Sequence, residues 1–157
     1  MIYTDPHPQP SFNFYTIFLS LFFLGDITPI LEDTMKDIKV ISGMLKVSRS
    51  FALVSLYFLK SLERIDGLLD TGEDFALTIL ENENLQKLFP DNARVKIRGR
   101  AFVHYNQKLC MEEINSLIEA SGMSPPMNFD VSEVTNGNKA GLAIENPTKK
   151  THPEKPI

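Results

Sequence analysis

The segment Phe51–Leu69 constrains the fold more than any other part of this 157-residue chain. Its apolar side chains recur at spacings of three and four residues, which is the period of one face of an α-helix. The members of this stripe are Phe51, Val54, Phe58, Leu62, Ile65 and Leu69. The first half of the segment is apolar nearly all round, which is typical of a helix with neighbours on several sides. We therefore predict a central helix here, in the middle of the core.

Further segments on both sides of the central one also show a helical period. A helix is predicted from Thr28-Pro29, because proline at the first helical position loses no hydrogen bond. Another begins near Thr71 and ends before Pro90, and a last one covers Met111–Gly122. The sequence shows no internal repeat at the periods of helical solenoids, and the short breaks between helices favour a bundle.

Residues 91–110 fit two kinds of secondary structure. Apolar and basic residues alternate there as they would in a β-strand, whereas Ile97, Ala101 and Tyr105 stand four residues apart as in a helix. We predict a helix, because Asp91 is a suitable N-cap and no second strand is apparent for pairing.

Composition divides the chain into four parts. Residues 1–11 form an extended leader that contains prolines, and residues 12–25 form an apolar segment. Residues 28–122 form the helical domain, and residues 123–157 are polar and predicted to be disordered. The predicted fold class is all-α, a small helical bundle of about four to five helices with a disordered C-terminal tail.

The apolar segment Phe12–Leu24 has no charged residue and admits several interpretations. As a helix it would be roughly 20 Å long, which is too short for a hydrocarbon core of about 30 Å. Its length suits a signal peptide, but no Lys or Arg precedes it and Asp26 follows where small residues are expected. A buried helix or core strand, a signal peptide or anchor, and an interfacial segment therefore all stay open.

The most suggestive local feature is a basic stretch at residues 91–110, in a chain whose net charge is −4. On a helix, basic residues four apart would form one stripe with two arginines alongside. The candidate partner-binding residues are Arg94, Lys96, Arg98, Arg100, His104 and Lys108. The predicted partner is a protein with an acidic surface. For the individual charges, the favoured interpretation is that they pair with neighbouring carboxylates or face water. Nucleic acid is not favoured, because the domain has no overall basic excess.

The sequence offers little chemistry for catalysis or for cofactors. Cys110 is the single cysteine, so no intramolecular disulfide forms, and a reducing compartment is favoured. His104 and Cys110 diverge on one helix, so they do not form a nucleophile and base, and no phosphate, dinucleotide or HExxH motif occurs. We predict no catalytic residue, no cofactor and no metal site.

The function predicted from these observations is that of a non-enzymatic α-helical interaction or adaptor module in the cytoplasm. The alternative is a membrane-associated or secreted small helical protein that uses residues 12–24 as signal or anchor.

Overall fold

A computed structural model describes residues 13–14, 17–19, 27–67, 75–122 and 128–137. Within these ranges the chain forms nine β-strands, two α-helices and one 3₁₀ turn. In chain order the elements are β1 (Asn13–Phe14), β2 (Ile17–Leu19), α1 (Thr28–Met35), β3 (Val40–Ile41), β4 (Leu45–Ser48), the 3₁₀ turn (Tyr57–Leu59), β5 (Arg64–Ile65), β6 (Phe75–Leu80), β7 (Lys96–Ile97), β8 (Arg100–His104), α2 (Met111–Ser121) and β9 (Phe129–Val131).

All the strand pairings in the described part of the chain are parallel, and they join strands from successive passes of the chain. A narrow sheet has the order β1-β3-β5-β7, and a broad sheet has the order β2-β4-β6-β8-β9. The chain therefore winds as a two-sheet solenoid. The rungs are unequal, because 24 residues separate Leu77 from its partner Ala101 whereas 32 separate Leu45 from Leu77.

The core lies inside the coil and is built from stacked apolar columns. In the broad sheet Val47, Ile79 and Val103 point inward on successive rungs and are fully buried. The irregular segments that follow β4, β6 and β8 form a third side of the coil. They contribute a similar set of fully buried leucines, which are Leu53, Leu85 and Leu109. Each rung buries only a few side chains, so neighbouring rungs are needed to complete one continuous core.

An asparagine ladder turns the chain after the broad strands. Its members are the buried residues Ser50, Asn82, Asn106 and Asn136. The backbone N–H of Asn82 donates to Oδ1 of Asn106 at 3.1 Å, and the N–H of Asn106 donates to Oδ1 of Asn136 at 3.1 Å. Each amide thus satisfies backbone groups that the turn would otherwise leave unpaired inside the protein.

The all-α bundle prediction is wrong. The segment Phe51–Leu69 contains a loop, the 3₁₀ turn and β5, and the predicted helix across residues 91–110 is replaced by β7 and β8. The helix prediction for residues 91–110 rested on the lack of a nearby partner strand, whereas a parallel solenoid pairs strands one full rung apart. Residues 68–74, which include Thr71, lie outside the described residues.

The two chain ends also differ from the predicted bundle with a disordered tail. Residues 128–137 include β9 and the buried Asn136, so this part of the predicted tail is ordered. At the other end, Ile17 and Leu19 of β2 are buried in the core. The leader, residues 1–11, lies outside the described residues. No helix in the described ranges has the length and apolar character needed to cross a membrane.

Candidate functional site

The outer face of the broad sheet presents a group of aromatic and charged side chains. Along β8, Ala101 and Val103 are buried, so the alternation of a strand turns Phe102 and His104 to the outside. Phe102, which is half-buried, pairs in register with the exposed Asp130 of β9. Side chains from successive rungs therefore meet on one surface.

The aromatic row on this face consists of Phe75, Phe102, His104 and Tyr105. The rings of Phe75 and Phe102 lie 5.2 Å apart between centroids, and the His104 ring stacks on Phe102 at 4.3 Å. Tyr105 continues the row, with its centroid 6.1 Å from that of His104. The guanidinium carbon of Arg100 lies 4.6 Å from the centroid of the Phe75 ring, which is a cation–π distance.

His104 is fixed in this row from both sides of its ring. Its Nε2 atom lies 2.8 Å from Oδ1 of Asp130, and its Nδ1 atom lies 3.5 Å from the hydroxyl of Thr135. The histidine side chain is mostly shielded, whereas the Asp130 side chain is about half exposed. The arrangement holds a rigid apolar platform between a cation at Arg100 and an anion at Asp130.

The structure separates the predicted basic stripe into three places. Arg94, Lys96 and Arg98 are exposed on or beside β7 of the narrow sheet. Arg100 and His104 lie on β8 of the broad sheet. Lys108 lies in the turn that follows, where Nζ donates to Oδ1 of Asn84. The single helical stripe is therefore wrong, and partner binding by these six residues stays a prediction.

Sequence reasoning missed the aromatic members of the site. The alternation Arg100, Phe102 and His104 against Ala101 and Val103 is a strand signal that would have placed Phe102 beside His104. Phe75 and Asp130 join them only through the rung-to-rung pairing, and no short-range pattern marks that pairing.

The remaining candidate chemistry lies elsewhere. Cys110 lines a cavity of about 310 Å³ beside α2, whereas His104 lies on the outside of the broad sheet. At the edge of this cavity Glu113 accepts a 2.7 Å hydrogen bond from Nζ of Lys87, which raises the pKa of that lysine above its ordinary value. Among the described residues, no group of three His, Cys, Asp or Glu side chains is placed to hold a metal ion.

The chain is therefore a parallel β-solenoid that carries its candidate site on the outer face of a sheet. Residues 22–121 match the receptor L domain family, and the chain belongs to that family. It is 36% identical over 114 residues to the insulin-like peptide receptor of Branchiostoma lanceolatum, a match that covers 70% of this chain and 8% of that receptor.

Two further relatives are of the same kind. The insulin receptor-related protein of Cavia porcellus is 36% identical over 118 residues, which is 73% of this chain and 9% of that protein. The insulin receptor of Xenopus laevis is 34% identical over 120 residues, which is 74% of this chain and 9% of that receptor. The chain thus spans less than a tenth of the length of these relatives.

The family changes the functional prediction. The helical adaptor is wrong, because the chain matches the receptor L domain family and folds as a parallel β-solenoid. The matching family is described as a receptor domain, and the relatives are named as receptors, so a receptor domain replaces the adaptor. Because the relatives are receptors, they support the membrane or secretory alternative over the cytoplasmic location that the single cysteine had favoured.

Proposed function

We propose that this chain is a ligand-recognition domain of a receptor outside the cytosol, and that the outer face of its broad sheet binds a peptide of the insulin-like class. The observation that carries this proposal is the aromatic row, flanked by Arg100 and Asp130. The names of the relatives, which include an insulin-like peptide receptor and an insulin receptor, support the ligand class.

The chemistry of the face suits a protein ligand. Binding energy in protein interfaces concentrates in aromatic and arginine side chains at a desolvated centre, with polar groups around them. Phe102 occupies the centre of the row, in contact with Phe75 on one side and His104 on the other. Arg100 over Phe75 and Asp130 beside His104 place opposite charges at two points of the platform. They give a ligand one orientation, because reversing it would place like charges together.

The rigidity of the site also favours binding. The aromatic side chains project from paired strands, and the ladder below β8 fixes the chain just beyond His104. A site on rigid elements loses little conformational entropy when the ligand arrives.

The test is a binding measurement with the 157-residue chain and a panel of insulin-like peptides that includes insulin. We expect Phe102→Ala to weaken binding by about tenfold or more, because truncation removes the centre of the aromatic row. Biolayer interferometry gives the dissociation constant, and circular dichroism checks that the variant is folded.

Phe51 provides a matched control for this test. It is an exposed phenylalanine in the loop after β4, 43% accessible, and it lies outside the aromatic row. We expect Phe51→Ala to leave the dissociation constant unchanged. An equal loss in both variants, or no binding of any insulin-like peptide by the wild-type chain, would contradict the proposal.

A further inference from the structure

The outer face of the narrow sheet carries a second, chemically different surface. Arg64 of β5 and Lys96 of β7 are paired in register, so they are direct neighbours on adjacent strands. Because Val95 and Ile97 are buried, Lys96 and its neighbours Arg94 and Arg98 face outward. We call Arg64, Arg94, Lys96 and Arg98 the narrow-face cluster.

The narrow-face cluster is only partly neutralised. Oδ1 of Asp66 lies 2.6 Å from Nε of Arg64 and 3.6 Å from Nη1 of Arg98, so one carboxylate serves two guanidinium groups. The shorter contact is an ion pair without hydrogen-bond geometry. Within the described ranges, neither Arg94 nor Lys96 has an ion pair.

The carboxylate of Glu63, the residue before Arg64, does not neutralise the positive charge of the cluster. Its carboxylate lies 3.9 Å from Nζ of Lys39, and both side chains are about two-thirds exposed. Arg64 and Lys96 are like charges on directly adjacent strand positions, which is unfavourable to the extent that Asp66 leaves the charge of Arg64 uncompensated. A bound polyanion would remove that repulsion.

The cluster lacks the apolar centre that a protein interface needs. The exposed large hydrophobic residues of the described ranges lie in other elements, and they are Ile30, Phe51, Val54, Tyr105 and Val134. Without such anchors, affinity has to come from charge and from the release of counterions. Arg94, Lys96 and Arg98 alternate along β7 and its flanking residues and so lie about 7 Å apart, and Arg64 lies beside Lys96 on the next strand, about 4.8 Å away. This spacing suits a linear, highly charged chain.

We propose that the narrow-face cluster binds a sulfated glycosaminoglycan. Exposure to such a chain rests on the location outside the cytosol that the proposed function assigns, but binding itself does not depend on the aromatic row. The surface is therefore a second interaction site, at a different face of the solenoid from the peptide site.

The test measures binding of the 157-residue chain to heparin by surface plasmon resonance over a series of salt concentrations. We expect salt-dependent binding by the wild-type chain, and a loss of at least about tenfold in affinity for the double variant Arg94→Glu with Lys96→Glu. The conservative pair Arg94→Lys with Lys96→Arg keeps both charges and should retain most of the affinity. Desulfated heparin should bind weakly, because the sulfates supply most of the charge.

The matched control is Lys36→Glu with Lys60→Glu, which changes the net charge equally at exposed side chains outside the narrow-face cluster. This control should stay close to the wild-type affinity. The proposal is overturned if the wild-type chain does not bind heparin, if the control loses as much affinity as the cluster variant, or if polyglutamate binds as well as heparin. Phe102→Ala should still bind heparin, so failure of the peptide proposal and failure of this one are distinguishable.

Discussion

The two kinds of corner in each rung turn the chain with different chemistry. At the asparagine-ladder corner, the residues before Ser50, Asn82 and Asn106 adopt positive φ with large side chains. They are Arg49, Glu81 and Tyr105, at 53°, 55° and 59°. At the corner that leads from the narrow to the broad sheet, the positive φ angles of 72° and 134° belong to Gly67 and Gly99. A positive φ therefore occurs at residues with large side chains in one corner and at glycines in the other.

The difference lies in the space beside the corner. A Cβ on Gly67 would lie 2.7 Å from the carbonyl oxygen of Arg98, and one on Gly99 would lie 3.0 Å from Cβ of Ala76. At the ladder corner the side chains reach solvent, so a side chain adds only the conformational cost of about 1–2 kcal/mol. At the glycine corner the backbone packs closely against neighbouring residues. At the ladder corner the side chains are exposed and can serve as functional groups.

The exposed ladder corner lies beside the candidate peptide site. Tyr105 extends the aromatic row, and Nε of Arg49 lies 2.6 Å from Oε2 of Glu81. That hydrogen bond raises the pKa of the Arg49 guanidinium above its ordinary value. The pair is largely exposed, so we expect it to shape the surface more than it stabilises the fold.

The largest expected effect comes from breaking the ladder at Asn106. Asn106→Ala removes Oδ1, which accepts from the N–H of Asn82, and Nδ2, which donates to the carbonyl of Ile79 at 3.0 Å. Each buried group left unpaired costs about 1–3 kcal/mol, so we expect a loss of about 3–5 kcal/mol in the free energy of unfolding. Urea denaturation monitored by circular dichroism measures it.

Ser50→Ala tests the end of the same ladder. The Ser50 hydroxyl accepts a hydrogen bond from the N–H of Leu53 at 3.3 Å, so we expect a loss of about 1 kcal/mol. If Asn106→Ala were no more destabilising than Ser50→Ala, the buried amides would not be what holds this corner.

The ladder also shows which part of the fold could have been predicted from the sequence. Ser50, Asn82 and Asn106 each follow by five positions a buried residue at the same register position of the broad sheet, and those residues are Leu45, Leu77 and Ala101. This repeat is present in the sequence. It is hidden because the rungs differ in length, so no fixed period brings its copies into alignment.

Local patterns predicted local structure well and burial only in part. The helix predicted at Met111–Gly122 is confirmed, because its apolar face and the left-handed Gly122 at its end need no distant partner. Phe58 and Ile65 were selected by helical spacing and are buried, yet they belong to the 3₁₀ turn and to β5. Phe51, from the same stripe, is exposed. Apolar character therefore identified much of the core, but the period did not identify the backbone around it.

The next largest effect is expected at the glycine corner. Gly67→Ala combines an unfavourable positive φ with the 2.7 Å approach to a backbone oxygen, so we expect a loss of about 3 kcal/mol. Gly122→Ala is its control, because Gly122 has the same φ of 72° and no atom within 4 Å of an added Cβ. That variant should lose only about 1 kcal/mol. Equal losses in thermal denaturation would show that the close approach at Gly67 has no energetic effect.

The smallest effect is expected at Glu81 in the ladder corner. Its side chain is exposed, so a substitution there creates no clash in the core. Glu81→Asn and Glu81→Val both remove the ion pair with Arg49, so the difference between the two variants isolates the backbone angle. Asparagine adopts the left-handed region readily, whereas a β-branched side chain there is a steric outlier. We expect Glu81→Asn to stay within about 0.5 kcal/mol of the wild-type stability and Glu81→Val to be about 1–2 kcal/mol less stable. Equal stabilities in urea denaturation would mean that the corner relaxes to negative φ, and the contrast between ladder and glycine corners would then lose its physical basis.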